Sequence, residues 1–223
     1  MEQAHSVPLY SAILFDLDGT LTDPLEGIAN SILYSLKSCG IGLGEDILRK
    51  FVGPPLQKSY MKYCGMDEAE AIQAVERYRE YYKVTGIYEN RLYPGIKPLL
   101  SRLKASKAQL ILATSKPEVF AKKVLDHFDL LGYFDHVCGS ELNGVRGDKD
   151  EVIAYALETA KPDRIKRAVM VGDRNFDVFG AQKNGLDSIG VLYGYGSRQE
   201  LEDAGATYIV ETVEGLEALL LGR

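Results

Sequence analysis

The sequence predicts an α/β fold: a Rossmann-like parallel sheet whose chain is interrupted, after the first strand, by an inserted helical domain. Three observations carry that expectation. In the stretch at 13–20, an apolar run ends in Asp16 and Asp18 and is turned at once by Gly19 and Thr20. Residues 20–92 then read as helical throughout, with no strand pattern. From YPGI (93–96) onward, short apolar strands alternate with helices of about 10–15 residues, which indicates βαβ units and a parallel sheet. The α/β core is therefore expected over 1–19 and 93–223, and the helical insertion over 20–92.

The elements follow in order. In the insertion, Leu25, Ile28, Ala29, Ile32, Leu33 and Leu36 recur at helical spacing, and Gly40 and Gly42 stop that helix. A second helix lies near 45–52 and ends at FVGPPL (51–56), because Pro54 and Pro55 cannot continue it. A third runs over about 56–64. The fourth, near 67–84, carries Ala71, Ile72, Val75, Tyr78 and Tyr82 on one side. In the core, helices are expected near 96–105, 117–128, 148–159 and 176–184. The strands between and after them are expected at 109–114, 136–139, 167–173 and 188–192.

Composition narrows the function. The chain has 223 residues, 46% hydrophobic and 26% charged, enough for a sizeable core. Its net charge of −6 argues against nucleic acid or an anionic membrane as the main partner, since both need clustered Lys and Arg. Cys39, Cys64 and Cys138 form no CxxC pair and read as reduced thiols. Neither a secretory signal nor an apolar run near the ~18 residues of a membrane span is visible. The expectation is a cytoplasmic protein.

Ligands of open parallel sheets bind beyond the carboxyl ends of the strands. There the sequence collects polar groups. Asp16 and Asp18, two apart on extended chain, point to the same side. An unpaired buried carboxylate costs several kcal/mol, so two together call for a cation, a proton or a reaction. An Asp-Gly turn explains Asp18 but leaves Asp16 without a role. Thr114 ends a strand as a hydroxyl donor or an ordinary turn residue. Ser115 matches a capping box with Glu118 and reads mainly as a helix cap, its amide facing a ligand. Lys149, amid acids, reads by itself as a solvated charge. Gly172 precedes Asp173 and Asp177, whose i,i+4 spacing suits one helix face. Taken alone, Asp173 would be a cap and Asp177 a surface acid.

Other signals are plainer. Gly190, Gly194 and Gly196 match no dinucleotide fingerprint, and no GxxxxGK[ST] motif occurs. His5, His127 and His136 have no metal-ligand spacing. The tyrosines at 60, 63, 78, 81, 82, 88 and 93 read mostly as helix-packing residues. Lys116, Arg174 and the turn at Gly53 and Pro54 are candidates for specificity, each also explicable as a solvated charge or a helix-ending turn.

ILFDLDGT (13–20), LILATSK (110–116), Lys149 and VGDRNFD (171–177) together resemble, in order, the four motifs of the haloacid-dehalogenase superfamily. The resemblance spans the whole chain, and DxDGT combined with GDxxxD is its most specific part. An insertion just after the first motif is similar to the branch with a helical cap there. GIANSILYSL, FVGPPL and YPGI resemble phosphoglycolate phosphatase-like members.

The resemblance implies a Mg²⁺-dependent phosphomonoester hydrolase acting on a small phosphorylated metabolite, 2-phosphoglycolate-like or a nucleoside monophosphate. Asp16 would be the nucleophile forming an aspartyl-phosphate, and Asp18 the acid/base. Mg²⁺ would be held by Asp16, the backbone carbonyl of Asp18 and Asp173, with Asp177 assisting directly or through water. Thr114, Ser115 and Lys149 would bind the phosphoryl oxygens, and the cap would close over the site. A sugar phosphomutase and a catalytically idle binding protein are the alternatives. The oligomeric expectation is monomer or homodimer.

Overall fold

The structure is a computed structural model that describes residues 9–162 and 167–222. His5 lies outside the described residues. The chain divides into two compact units, Met1–Leu21 with Leu92–Arg223, and Thr22–Arg91.

The first unit is built on six parallel strands: β1 (Ala12–Phe15), β4 (Gln109–Pro117), β5 (His136–Ser140), β6 (Ala168–Gly172), β7 (Asp187–Val191) and β8 (Tyr208–Val210). Their order is β5-β4-β1-β6-β7-β8. Phe15 lies level with Leu112 of β4 and Val171 of β6, so β1 and β6 end together while β4 runs on to Pro117. The helices between strands are α5 (Ile96–Ala105), α6 (Glu118–His127), α7 (Lys149–Ala160), α8 (Asn175–Lys183), α9 (Arg198–Asp203) and α10 (Val213–Leu221).

Alternation along the strands sorts the core into two faces. Ala12 and Leu14, Ile111 and Ala113, and Ala168 and Met170 pack against Val152, Ile153 and Ala156 of α7 and Ala181 of α8. Ile13, Phe15, Leu110, Leu112, Val169 and Val171, which are fully buried, alternate with them and supply the other face. Central strands buried on both faces read as continuous apolar runs, located by their shortness and by the turn and polar residues that bound them. The expectation stops short of the last stretch: α9 crosses over from β7 to β8, the sixth strand, and α10 follows it.

The second unit consists of α1 (Leu25–Leu36), α2 (Glu45–Leu48), α3 (Leu56–Cys64) and α4 (Glu68–Tyr81), continued by a π-helical turn over Tyr82–Gly86. Asp67 caps α4 in a capping box with Glu70. The expectation of helix alone over 20–92 is corrected by β2 (Thr22–Asp23) and β3 (Arg91–Leu92), which pair as a two-stranded ribbon. Two-residue strands are too short to show a period, and only their pairing defines them. Among the described residues, no helix is long and apolar enough to cross a membrane.

Candidate active site

Asp16 follows Phe15 at the end of β1 and keeps the face of Ala12 and Leu14, toward α7 and α8. Its backbone N–H donates to the Val171 carbonyl at 2.9 Å, continuing the β1–β6 ladder. Lys149 is the first residue of α7 and is buried. Its Nζ lies 2.8 Å from Asp16 Oδ1 and 2.9 Å from Asp177 Oδ1, and it donates to the Ala113 carbonyl at 3.3 Å. Burial pulls the ammonium pKa down, but Asp16 and Asp177 outweigh it and hold Lys149 above its usual range.

Asp173 and Asp177 complete the cluster. Asp173 is fully buried; its Oδ2 accepts from the Tyr195 N–H at 2.8 Å, and its Oδ1 from the Thr20 hydroxyl at 3.4 Å. Asp177 Oδ2 accepts from the Arg174 N–H at 3.1 Å, at the start of α8. Close packing needs small residues here. Gly19, at φ +87°, leaves no room for a side chain, because a Cβ would stand 2.3 Å from Asp173 Oδ2. A Cβ on Gly172 would stand 2.0 Å from Asp177 Cγ.

One oxygen from each of Asp16, Asp173 and Asp177 falls within 4.8 Å of the others. The lysine is at ion-pair distance from Asp16 Oδ1 and Asp177 Oδ1, yet neither oxygen has a partner aligned for a hydrogen bond. The cluster is short of positive charge. Burial, then Asp177 and Asp16, push Asp173 well above the usual carboxylate range. Burial pushes Asp177 up to about 6 against the pull of Lys149. An all-oxygen set of three buried carboxylates facing a single ammonium fits a hard divalent cation, whose charge would relieve both shifts. Asp18 stands beside this group, with Oδ2 2.5 Å from Lys116 Nζ. Burial raises its pKa, with Lys116 opposing.

The profile of the haloacid dehalogenase-like hydrolases matches residues 13–191, a span that opens on the β1 acids and closes with β7. The chain belongs to that family. It is 44% identical over 213 residues to a 5′-nucleotidase of Pseudomonas aeruginosa, covering 95% of this chain and 96% of that protein. It is 38% identical over 208 residues to the tyrosine-protein kinase PtkA of Mycobacterium tuberculosis, covering 93% of this chain and 70% of that protein. The crystal structure of a predicted phosphatase from Clostridium acetobutylicum superposes with a TM-score of 0.92 at 49% identity, covering 96% of this chain and 99% of that one. This haloacid dehalogenase-like hydrolase is an enzyme of the phosphatase class.

In the hydrolase, Asp16, Lys149, Asp173 and Asp177 come together, with Asp18 and Lys116 paired beside them. Thr114, buried, lies one residue beyond the Ala113 carbonyl that Lys149 reaches. The surface readings of Lys149 and Asp177 are corrected by their burial. Asp173 precedes α8 instead of sharing its face, and Arg174 is the residue at the helix cap. Ser115 does not cap α6: Pro117 holds that position, and Ser115 and Lys116 continue the strand. The residue before a proline avoids helical backbone, so Glu118 opens the helix instead of sitting three residues into it.

Lys116 is not a solvated charge, its side chain being only 6% exposed. Arg174 pairs with Glu200 at 2.9 Å. Gly53, at φ +103°, and Pro54 form a turn between α2 and α3 in the helical unit. Sequence reasoning missed the segment after β7. Tyr195 supplies an amide to Asp173, and the Tyr193 hydroxyl donates to the Thr20 carbonyl at 3.1 Å. A Cβ on Gly194 would stand 2.3 Å from the Gly19 carbonyl oxygen. The available signal was the spacing of Gly194 and Gly196, read only as a failed nucleotide fingerprint.

Proposed function

We propose that this hydrolase is a Mg²⁺-dependent phosphomonoesterase for a small phosphorylated metabolite, working through an aspartyl-phosphate on Asp16. The observation that carries this reading is the buried trio Asp16, Asp173 and Asp177, one oxygen of each within 4.8 Å of the others, facing one buried lysine at the strand ends. Mg²⁺ would be held by Asp16, Asp173, Asp177 and the Asp18 backbone carbonyl, and when bound it offsets charge between the carboxylates and the phosphoryl oxygens.

Asp16 attacks phosphorus, a P–O bond forms to its carboxylate, and the ester P–O bond breaks. Asp18 gives its proton to the departing oxygen. A water molecule then attacks the phosphorus of the aspartyl-phosphate, Asp18 takes the water proton, and inorganic phosphate leaves with Asp16 restored. Lys149 orients Asp16 and, with Thr114 and Ser115, binds non-bridging oxygens. Substrates on this reading are nucleoside monophosphates, which the name of the Pseudomonas relative favours, or 2-phosphoglycolate.

The test is turnover of p-nitrophenyl phosphate with Mg²⁺ or EDTA, beside Asp16→Asn. EDTA should abolish turnover, and the variant should lose at least about 10³-fold. Turnover surviving either change would remove the mechanism. Transfer to an acceptor other than water, as in a sugar phosphomutase, would give product ester without equivalent free phosphate. A panel of nucleoside monophosphates and 2-phosphoglycolate then ranks the leaving groups.

A further inference from the structure

Lys116 occupies a position that the sequence leaves open between surface charge and specificity. Its backbone is fixed. Pro117 keeps it extended, and its N–H donates to Thr114 Oγ1 at 3.3 Å. The register of β4 against β5 shifts between Thr114 and Pro117, which takes the chain out of the regular ladder here. Gly139 of β5 packs against the same segment, where a Cβ would stand 2.6 Å from the Lys116 carbonyl oxygen.

The side chain is fixed too. Burying a lysine sacrifices rotamer freedom and strips water from its charge, so a buried ammonium persists only with a partner. That partner is Asp18: Nζ lies 2.5 Å from Oδ2, with side-chain exposures of 6% and 12%. Asp18 Oδ1 has no hydrogen-bond partner among the described residues. A carboxylate held at one oxygen by an ammonium takes its orientation from that ammonium. Lys149 is engaged with Asp16 and Asp177, so the two buried lysines serve different acids.

We propose that Lys116 is a positioning residue for Asp18, holding its carboxyl group where it passes a proton to the departing oxygen. This rests on the reading of Asp18 as acid/base. A lysine that instead bound substrate would act independently of Asp18. A lysine acting through Asp18 matters most when the leaving oxygen needs a proton, and hardly at all for p-nitrophenolate, which leaves unaided.

The experiment compares kcat/KM for an alkyl phosphate and for p-nitrophenyl phosphate. This parameter reports the steps through formation of the aspartyl-phosphate. Lys116→Met should lose roughly 10²-fold or more on the alkyl ester, the scale of general-acid catalysis, and no more than about fivefold on the aryl ester. Lys116→Arg should recover most of the difference. In an Asp18→Asn background, Lys116→Met should add almost nothing, since the two changes remove one function. Equal losses on both esters, a change in KM alone, additive losses in the double variant, or no loss would each overturn the proposal. Thermal melts verify that each variant is folded, and Lys116→Gln serves if the methionine variant is not. Wild-type turnover that ignores EDTA or survives Asp16→Asn would instead overturn the underlying mechanism, a distinct outcome.

Discussion

At the scale of single residues, the site is decided by how little space surrounds its carboxylates. Gly172→Ala would set a methyl group 2.0 Å from Asp177 Cγ, and the acid must move. If Asp177 holds the cation as proposed, a change beside it costs about 10–100-fold in metal affinity, and overpacking a core costs about 1–3 kcal/mol. The Mg²⁺ concentration for half-maximal activity should rise by that factor and the melting temperature should fall. Gly132→Ala, with nothing within 4 Å of its Cβ, should leave both unchanged. An unaltered Mg²⁺ titration for Gly172→Ala would remove Asp177 from the metal site. Asp16, Asp173 and Asp177 were legible in the sequence because carboxylates at the ends of apolar strands are conspicuous. The amide of Tyr195 was not, because any residue has an amide and only the fold aims it at Asp173.

At the scale of elements, α6 and α4 show how a cap is read rightly and wrongly. Asp67 and Glu70 exchange both bonds of a capping box, at 2.9 and 3.0 Å. Asp67→Ala should cost about 1 kcal/mol in urea unfolding. Ser115 has the same apparent spacing to Glu118, but α6 begins after Pro117. Ser115→Ala should change stability by no more than about 0.5 kcal/mol, whatever it does to activity. A loss for Ser115→Ala matching that of Asp67→Ala would restore the cap. The long elements were legible because periodicity over many residues outweighs any one side chain. The ribbon of β2 and β3 was not, since pairing partners distant in the chain define it. Strand β8, at three residues, is similarly short of signal.

At the scale of the whole molecule, the acidic cluster couples stability to pH and, on the proposed reading, to metal. Asp177 titrates at about 6 in the folded protein and Asp173 well above its ordinary value. Between about pH 4 and 6 the unfolded chain releases protons that the metal-free folded protein retains, so stability falls as pH rises through that window. A bound cation favours the ionised acids and recovers the loss. The rise in melting temperature on replacing EDTA by Mg²⁺ should therefore be larger near about pH 7.5 than near about pH 5. Equal shifts at both values would mean that the cation binds elsewhere or that the acids are already ionised. Sequence alone determined the α/β class, most of the strands and helices, and the residues of the four motifs, because burial patterns and reactive side chains are local properties. The tertiary structure alone decided which groups share charge. Strand order β4-β1-β6 and the start of α7 bring Lys149 onto Asp16 and Asp177, and the irregular end of β4 carries Lys116 to Asp18. Electrostatic partnership depends on distance in space and on burial, and neither is written in the spacing of residues along a chain.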